Sequence, residues 1–246
     1  TDGKILLDGV DIQAEPIKAK SKLGYLPEHP PLYTRMTVEK YLQFAASLRY
    51  CPPQAVDKVI EQTKLGSVRT RFIDQLSKGF RQRVGLAQAI VHEPSIVVLD
   101  EPMSGLDPAQ RVEFRELLVD LAASDTTVVL STHVLQEIEA VCDRVMILAK
   151  GQLVAQDSLE RLRNKGQSGT KIMVRSAPES LLAALHALPA LTELRMGLEG
   201  PYPQLTIYAS ADIRAEIASA AAPYGLLSMT EPEKLEQIYL RLTGGL

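Results

Sequence analysis

Two adjacent carboxylates, Asp100 and Glu101, close an unbroken apolar run of β-branched type over residues 96–99. Such a run has the pattern of a central strand expected to be buried on both faces. Ligands of open parallel α/β sheets bind at the carboxyl ends of the strands. One carboxylate there can hold a metal while its neighbour acts on a water, which is the chemistry of nucleotide hydrolysis. Alone, Asp-Glu-Pro would also serve as a strand cap leading into a turn, so the surrounding residues decide its weight.

Three further groups stand in order around it. Leu76-Ser77-Lys78-Gly79-Phe80 precedes a helical run, and a helix start offers free N–H groups and a positive dipole end to phosphate. Read blandly, Ser77 is an ordinary N-cap. Ser104-Gly105-Leu106-Asp107-Pro108 follows the carboxylates as a Gly/Pro turn entering a second helix. His133 comes after an apolar strand over 127–130, and Ser131-Thr132-His133 at the end of that strand places the imidazole beside Glu101. His29, His92 and His186 have no such context.

This order resembles the ATP-binding subunits of ABC transporters: signature loop, Walker B strand with its glutamate, D-loop and switch histidine. The resemblance covers roughly residues 1 to 165. It implies ATP as substrate, with Mg²⁺ held by Asp100 and Glu28, Glu101 and His133 as catalytic residues, and Ser77, Lys78 and Gly79 binding ATP in trans. Ser104, Gly105 and Asp107 would form the D-loop that couples the two sites of a head-to-tail dimer. Lys78 and Phe80 depart from the Leu-Ser-Gly-Gly-Gln signature, and Phe80 cannot supply the glutamine's hydrogen bonds. Glu28, in Gly24-Tyr25-Leu26-Pro27-Glu28, occupies the Q-loop position where many relatives carry glutamine. Together with Pro30, Pro31, Leu32 and Tyr33, which would meet a membrane subunit, it resembles an exporter branch that includes the gliding-motility type. No Gly-x-x-x-x-Gly-Lys-Ser/Thr phosphate loop occurs in the 246 residues. In the family that loop precedes a segment like residues 3–9, so the chain is expected to begin just after its own P-loop and, alone, to be inactive as an ATPase.

The elements that must position these residues can be read from periodicity. Residues 4–7 with Asp8-Gly9 read as a hairpin start and 23–26 as a strand entering a Pro-rich loop at 27–33. A helical region after the N-cap Thr37 includes 38–48 and 55–64, the position of the family's helical subdomain, about 36–90. A helix over 78–91 leads to strand 96–99, and one over 109–122 to strand 127–130. Helices alternating with apolar strands imply βαβ crossovers and a parallel sheet. Residues 145–148 and 153–155 look like a closing hairpin at the sheet edge. After a linker-like stretch at 166–169 the pattern becomes β-α-β-β-α-β, the ferredoxin-like split βαβ, with a final helix over 234–242. The expected fold class is α/β, a P-loop NTPase-like parallel sheet with a helical subdomain, incomplete at the N-terminus, in 1–165. A small α+β ferredoxin-like accessory domain follows in 166–246.

Composition bounds the rest. The net charge of -3 gives no electrostatic case for nucleic acid. No apolar run approaches the ~20 residues of a membrane span and no signal-peptide pattern opens the sequence, so membrane contact is expected through a membrane-spanning transporter subunit, on the cytoplasmic face. Cys51 and Cys142 lie far apart with no metal or disulfide spacing. Two rivals remain. A soluble ABC ATPase of DNA maintenance would carry long heptad insertions, which are absent here. A truncated, non-catalytic interaction module is opposed by the retained Asp100, Glu101 and His133.

Overall fold

The computed structural model describes residues 3–159, 161–162, 169–197, 201–230 and 239–240. The chain forms two compact units, Thr1–Val141 and Cys142–Leu246. The expected linker residues 166–168 and, apart from 239 and 240, the final helix over 234–242 lie outside the described residues.

In the first unit, β1 (Leu6–Leu7) and β2 (Val10–Asp11) pair across an Asp8-Gly9 turn with positive φ at both residues, the geometry of a two-residue hairpin. Helix α1 (Pro16–Ser21) begins on its proline and leads to β3 (Leu23–Leu26). The helical region follows as α2 (Val38–Leu48), α3 (Gln54–Gln62) and α4 (Lys78–Ile90). Thr37 caps α2 as expected, its hydroxyl accepting the Lys40 N–H at 3.4 Å. Then β4 (Ile96–Asp100), α5 (Pro108–Ala122), β5 (Thr127–Ser131) and α6 (Leu135–Val141) complete the unit.

Strands β3, β4 and β5 lie side by side in that order and all run parallel, so the expected α/β architecture with crossover helices is present. Helix α4 comes so close to β3 that a Cβ on Gly24 would run into the Ala89 carbonyl. One large core joins α2, α3, α4 and α5 to the sheet, with Leu26, Leu42, Leu86, Leu99 and Phe114 all but fully buried. The expectation that β4 is buried on both faces needs correction. Val97 and Leu99 are completely covered, because α4 and α5 pack with them, whereas the row Tyr25–Val98–Val129 keeps partial exposure. A run of apolar β-branched residues carries no alternation to reveal that difference.

Leu99 immediately precedes the carboxylates and anchors the strand end. Leu99→Ala should cost about 2–5 kcal/mol, the transfer term plus a cavity. Val129→Ala, at a position 38% exposed, should cost less than about 1 kcal/mol. Denaturant midpoints of the two variants at equal m-value check the contrast.

In the second unit, β6 (Arg144–Ala149) and β7 (Gln152–Ser158) form the expected hairpin around Lys150-Gly151. Among the described residues they pair only with each other. Hairpin chemistry specifies the local turn and leaves the neighbouring strand open. Next come β8 (Thr170–Val174), α7 (Glu179–His186), β9 (Leu191–Gly197), β10 (Gln204–Ala209), α8 (Arg214–Ala221) and β11 (Leu226–Thr230). Their sheet has the order β11-β8-β10-β9 with every neighbouring pair antiparallel. Strand β10 thus separates β8 from β9, and β8 separates β10 from β11, which is the split βαβ arrangement read from the sequence. Its core is built on Ile172, Val174, Leu181, Leu185, Leu205, Ile207 and Ile217. No helix among the described residues is long and apolar enough to cross a membrane.

Candidate functional site

Parallel register brings the last residue of β4 beside the last residue of β5, pairing Asp100 with Ser131. The Ser131 hydroxyl donates to Asp100 Oδ1 at 2.6 Å. Glu101 then turns away from the strand with φ of 42°, a left-handed conformation uncommon for a residue with a Cβ. Surrounding hydrogen bonds hold it there. Its N–H donates to the Ser131 carbonyl at 3.1 Å and lies 3.3 Å from the Ser131 hydroxyl, while its own carbonyl accepts the Ser104 N–H at 3.0 Å.

The Glu101 side chain is directed at His133. One carboxylate oxygen, Oε1, accepts the His133 backbone N–H at 3.0 Å and lies 2.7 Å from Nδ1 of the same residue. Since a carboxylate only accepts, Nδ1 carries the proton. The Glu101 side chain is 21% exposed and that of His133 is 77% exposed, so the pair sits at a solvent-facing rim. The Glu101 hydrogen bond, and then its charge, raise the His133 imidazole above its ordinary value.

That shift has a sign to test. With the folded value raised, the pair's contribution to stability is whole below the ordinary imidazole value of about 6.5 and is lost as pH rises through the folded midpoint. An NMR titration of His133 should show a midpoint above the ordinary value, falling back toward it in Glu101→Gln. A midpoint indifferent to that substitution would remove the contact.

The other residues singled out in the sequence lie around the start of α4 and α5. Ser77 caps α4, its hydroxyl accepting the Phe80 N–H at 3.4 Å. The Lys78 ammonium rests against Gly105, whose φ of 67° suits glycine and whose hydrogen a Cβ could not replace without striking that ammonium. Gly79 abuts the Gln110 side chain, with only 2.9 Å available between it and a Cβ built on the glycine. Asp107 caps α5, accepting the Gln110 N–H at 2.9 Å, and Arg111 Nε donates to the Leu106 carbonyl at 3.0 Å. Phe80 packs on the core with the Arg83 guanidinium 5.4 Å from its ring centre, so its departure from the signature serves packing.

Glu28 belongs to the same neighbourhood. Its Oε1 accepts the Ser104 hydroxyl at 3.2 Å, its carbonyl accepts Nε2 of the buried Gln82 at 3.3 Å, and its charge contributes to raising His133. Among the described residues no group of three or more His, Cys, Asp or Glu gathers as a metal cage. The donor set fits a hydrated Mg²⁺, which keeps several waters and takes only one or two carboxylates. Asp100 is half-buried and held in orientation by Ser131.

The structure thus brings Glu101, His133, Ser104 and Glu28 together, sets Lys78 beside Gly105 and Gly79 beside Gln110, and leaves Ser77 as the cap of α4. Nothing in the local sequence marks Ser131 as a partner of Asp100. Aligning the runs 96–99 and 127–130 at their carboxyl ends would have paired it with Asp100.

The arrangement can be set beside known proteins. The family described as ABC transporter matches residues 1–104. The bacitracin transport ATP-binding protein BcrA of Enterococcus faecalis is 31% identical across 100% of this chain and 80% of its own length. The chain belongs to the ATP-binding proteins of ABC transporters. A second relative of this ABC ATP-binding protein, YxlF of Bacillus subtilis, is 32% identical over 89% of this chain and 75% of its own. The Nostoc ABC transporter ATP-binding protein all4389 is 39% identical over 65% of this chain and 49% of its own. The ABC ATP-binding protein spans about half the length of this and other relatives it matches. A solved structure of the ATP-binding subunit of an ABC transporter overlays with a TM-score of 0.57 at 28% identity, over 65% of this chain and 68% of that one. The fold is that of P-loop NTPases.

Proposed function

We propose that the chain belongs to an ATP-binding, ATP-hydrolysing subunit that energises an ABC-type membrane exporter, and that these 246 residues, which contain no phosphate loop, do not turn over ATP by themselves. The observation that carries this reading is Glu101, held at the carboxyl end of β4 next to Asp100 with one carboxylate oxygen bound twice by His133. Glu101 is the general base that orients and polarises the attacking water. His133 meets the γ-phosphate. Asp100 and Glu28 would hold Mg²⁺, which supplies charge neutralisation at the phosphates.

Ser77, Lys78 and Gly79 serve the nucleotide of a partner subunit in a head-to-tail dimer. The free N–H groups at the start of α4 suit a phosphate. Ser104, Gly105 and Asp107 form the D-loop between the two sites, and their contacts with Glu28, Lys78 and Gln110 support that placement. The Pro30–Tyr33 loop meets a membrane-spanning subunit on its cytoplasmic side, and Glu28 with this loop supports the exporter branch that the gliding-motility type belongs to. Residues 166–246 are an appended packing or regulatory domain.

Hydrolysis needs a phosphate-binding loop, and the 246 residues contain no such motif. The expected result is background phosphate release from residues 1–246 and Mg²⁺-dependent turnover from a form carrying such a loop ahead of Gly3. Steady release from 1–246 that disappears in Glu101→Ala would make the loop dispensable. Absence of turnover in the loop-bearing form would favour a non-catalytic module.

A further inference from the structure

We propose that Ser131 is a positioning residue whose single hydroxyl sets Asp100 and Glu101 in register with each other. The proposal rests on the hydrolytic reading of those carboxylates. The two parallel strands end level, so position 131 is the one place on β5 that faces the end of β4. A hydroxyl has one proton to donate and lone pairs to accept. Here the proton goes to Asp100 Oδ1 at 2.6 Å, and the oxygen stands 3.3 Å from the Glu101 N–H. One atom therefore touches the side chain of the first carboxylate and the backbone of the second.

The consequence for Glu101 follows from its backbone. At φ of 42° the residue depends on its surroundings to stay in place, and its hydrogen bonds to Ser131 and Ser104 are part of them. Its N–H is shared between the carbonyl and the hydroxyl of Ser131. Removing the hydroxyl leaves the carbonyl as sole acceptor and frees the Asp100 carboxylate to rotate. Any tilt of Glu101 is passed to His133, because both His133 donors meet the same Glu101 oxygen. The imidazole thus serves as a reporter of the Glu101 pose. Threonine keeps the hydroxyl and alanine does not, which separates the hydrogen bonds from mere space filling.

The test uses residues 1–246 without nucleotide, in Ser131→Ala and Ser131→Thr. In Ser131→Ala, amide exchange at Glu101 should rise by roughly fivefold, the scale of losing one intramolecular hydrogen bond. The His133 midpoint should fall toward the ordinary imidazole value. Ser131→Thr should match the parent in both. A Ser131→Ala variant that matches the parent, or a Ser131→Thr variant that matches Ser131→Ala, would overturn the proposal. In the loop-bearing form, Ser131→Ala should raise the Mg²⁺ concentration for half-maximal turnover several-fold while the KM for ATP stays near the parent, with Ser131→Thr restoring it. If the loop-bearing parent shows no turnover, the hydrolytic reading fails, and the exchange and titration results still decide the role of Ser131.

Discussion

Glu101→Gln, in a form that carries a phosphate loop, is expected to bind ATP and to hydrolyse it about 10²–10⁴-fold more slowly, the usual contribution of a positioned general base. The substitution keeps the side chain's length and an oxygen that can still accept from the His133 N–H, now 3.0 Å from Oε1. It removes the charge that polarises water. Binding should therefore persist and a nucleotide-loaded dimer should accumulate, visible by size-exclusion chromatography with ATP and Mg²⁺. Single-turnover rates of parent and variant make the comparison free of product release. An unchanged rate would remove Glu101 from the chemistry.

Much of this site could be read from local sequence rules. Residues 96–100 form a strand because apolar β-branched side chains fill it, and 78–90 form a helix because Ser77 caps it. Asp107 and Pro108 start α5 for equally local reasons. Alternation of elements was enough to anticipate both the parallel β3–β4–β5 sheet and the split order of the second unit.

What escaped depends on register and on side-chain direction across elements. The Ser131–Asp100 contact requires knowing that two strands end level. Glu28 was read as a metal neighbour from its position in a motif, and its contacts with Ser104 and Gln82 join loops far apart in sequence. Burial of β4 on both faces was expected from an apolar run that looks the same whether one face or two are covered. The hairpin β6–β7 was legible as a hairpin, while its pairing with nothing further among the described residues was not.

Ser77→Arg carries the second large effect. Ser77 is exposed at the start of α4, where its hydroxyl caps the helix by accepting the Phe80 N–H. In the proposed dimer this end faces the partner's nucleotide. A bulky guanidinium there should block ATP-driven dimerisation in the loop-bearing form and lower turnover by roughly 10²-fold or more, the scale for losing a preorganised donor at developing charge. ATP binding to the monomer, followed by equilibrium titration with a fluorescent ATP analogue, should stay close to the parent. Ser77→Ala separates the steric block from the lost hydroxyl, since it should cost about 0.5–2 kcal/mol of stability and impair dimerisation far less than Ser77→Arg does.

The central claim is that one nucleotide is worked on by Glu101 of one subunit and by the Ser77 loop of the other. Mixing Ser77→Arg with a second loop-bearing variant, in which the phosphate-loop lysine is removed, tests it most directly, under conditions where subunits exchange. In a mixed dimer one composite site carries both lesions and the other carries neither. The account predicts turnover in the mixture above that of either variant alone, rising with the fraction of mixed dimer. Turnover that never exceeds the two variants measured separately, with mixed dimers demonstrated in the same sample, would place the Ser77 loop and Glu101 at the same subunit's nucleotide and contradict it.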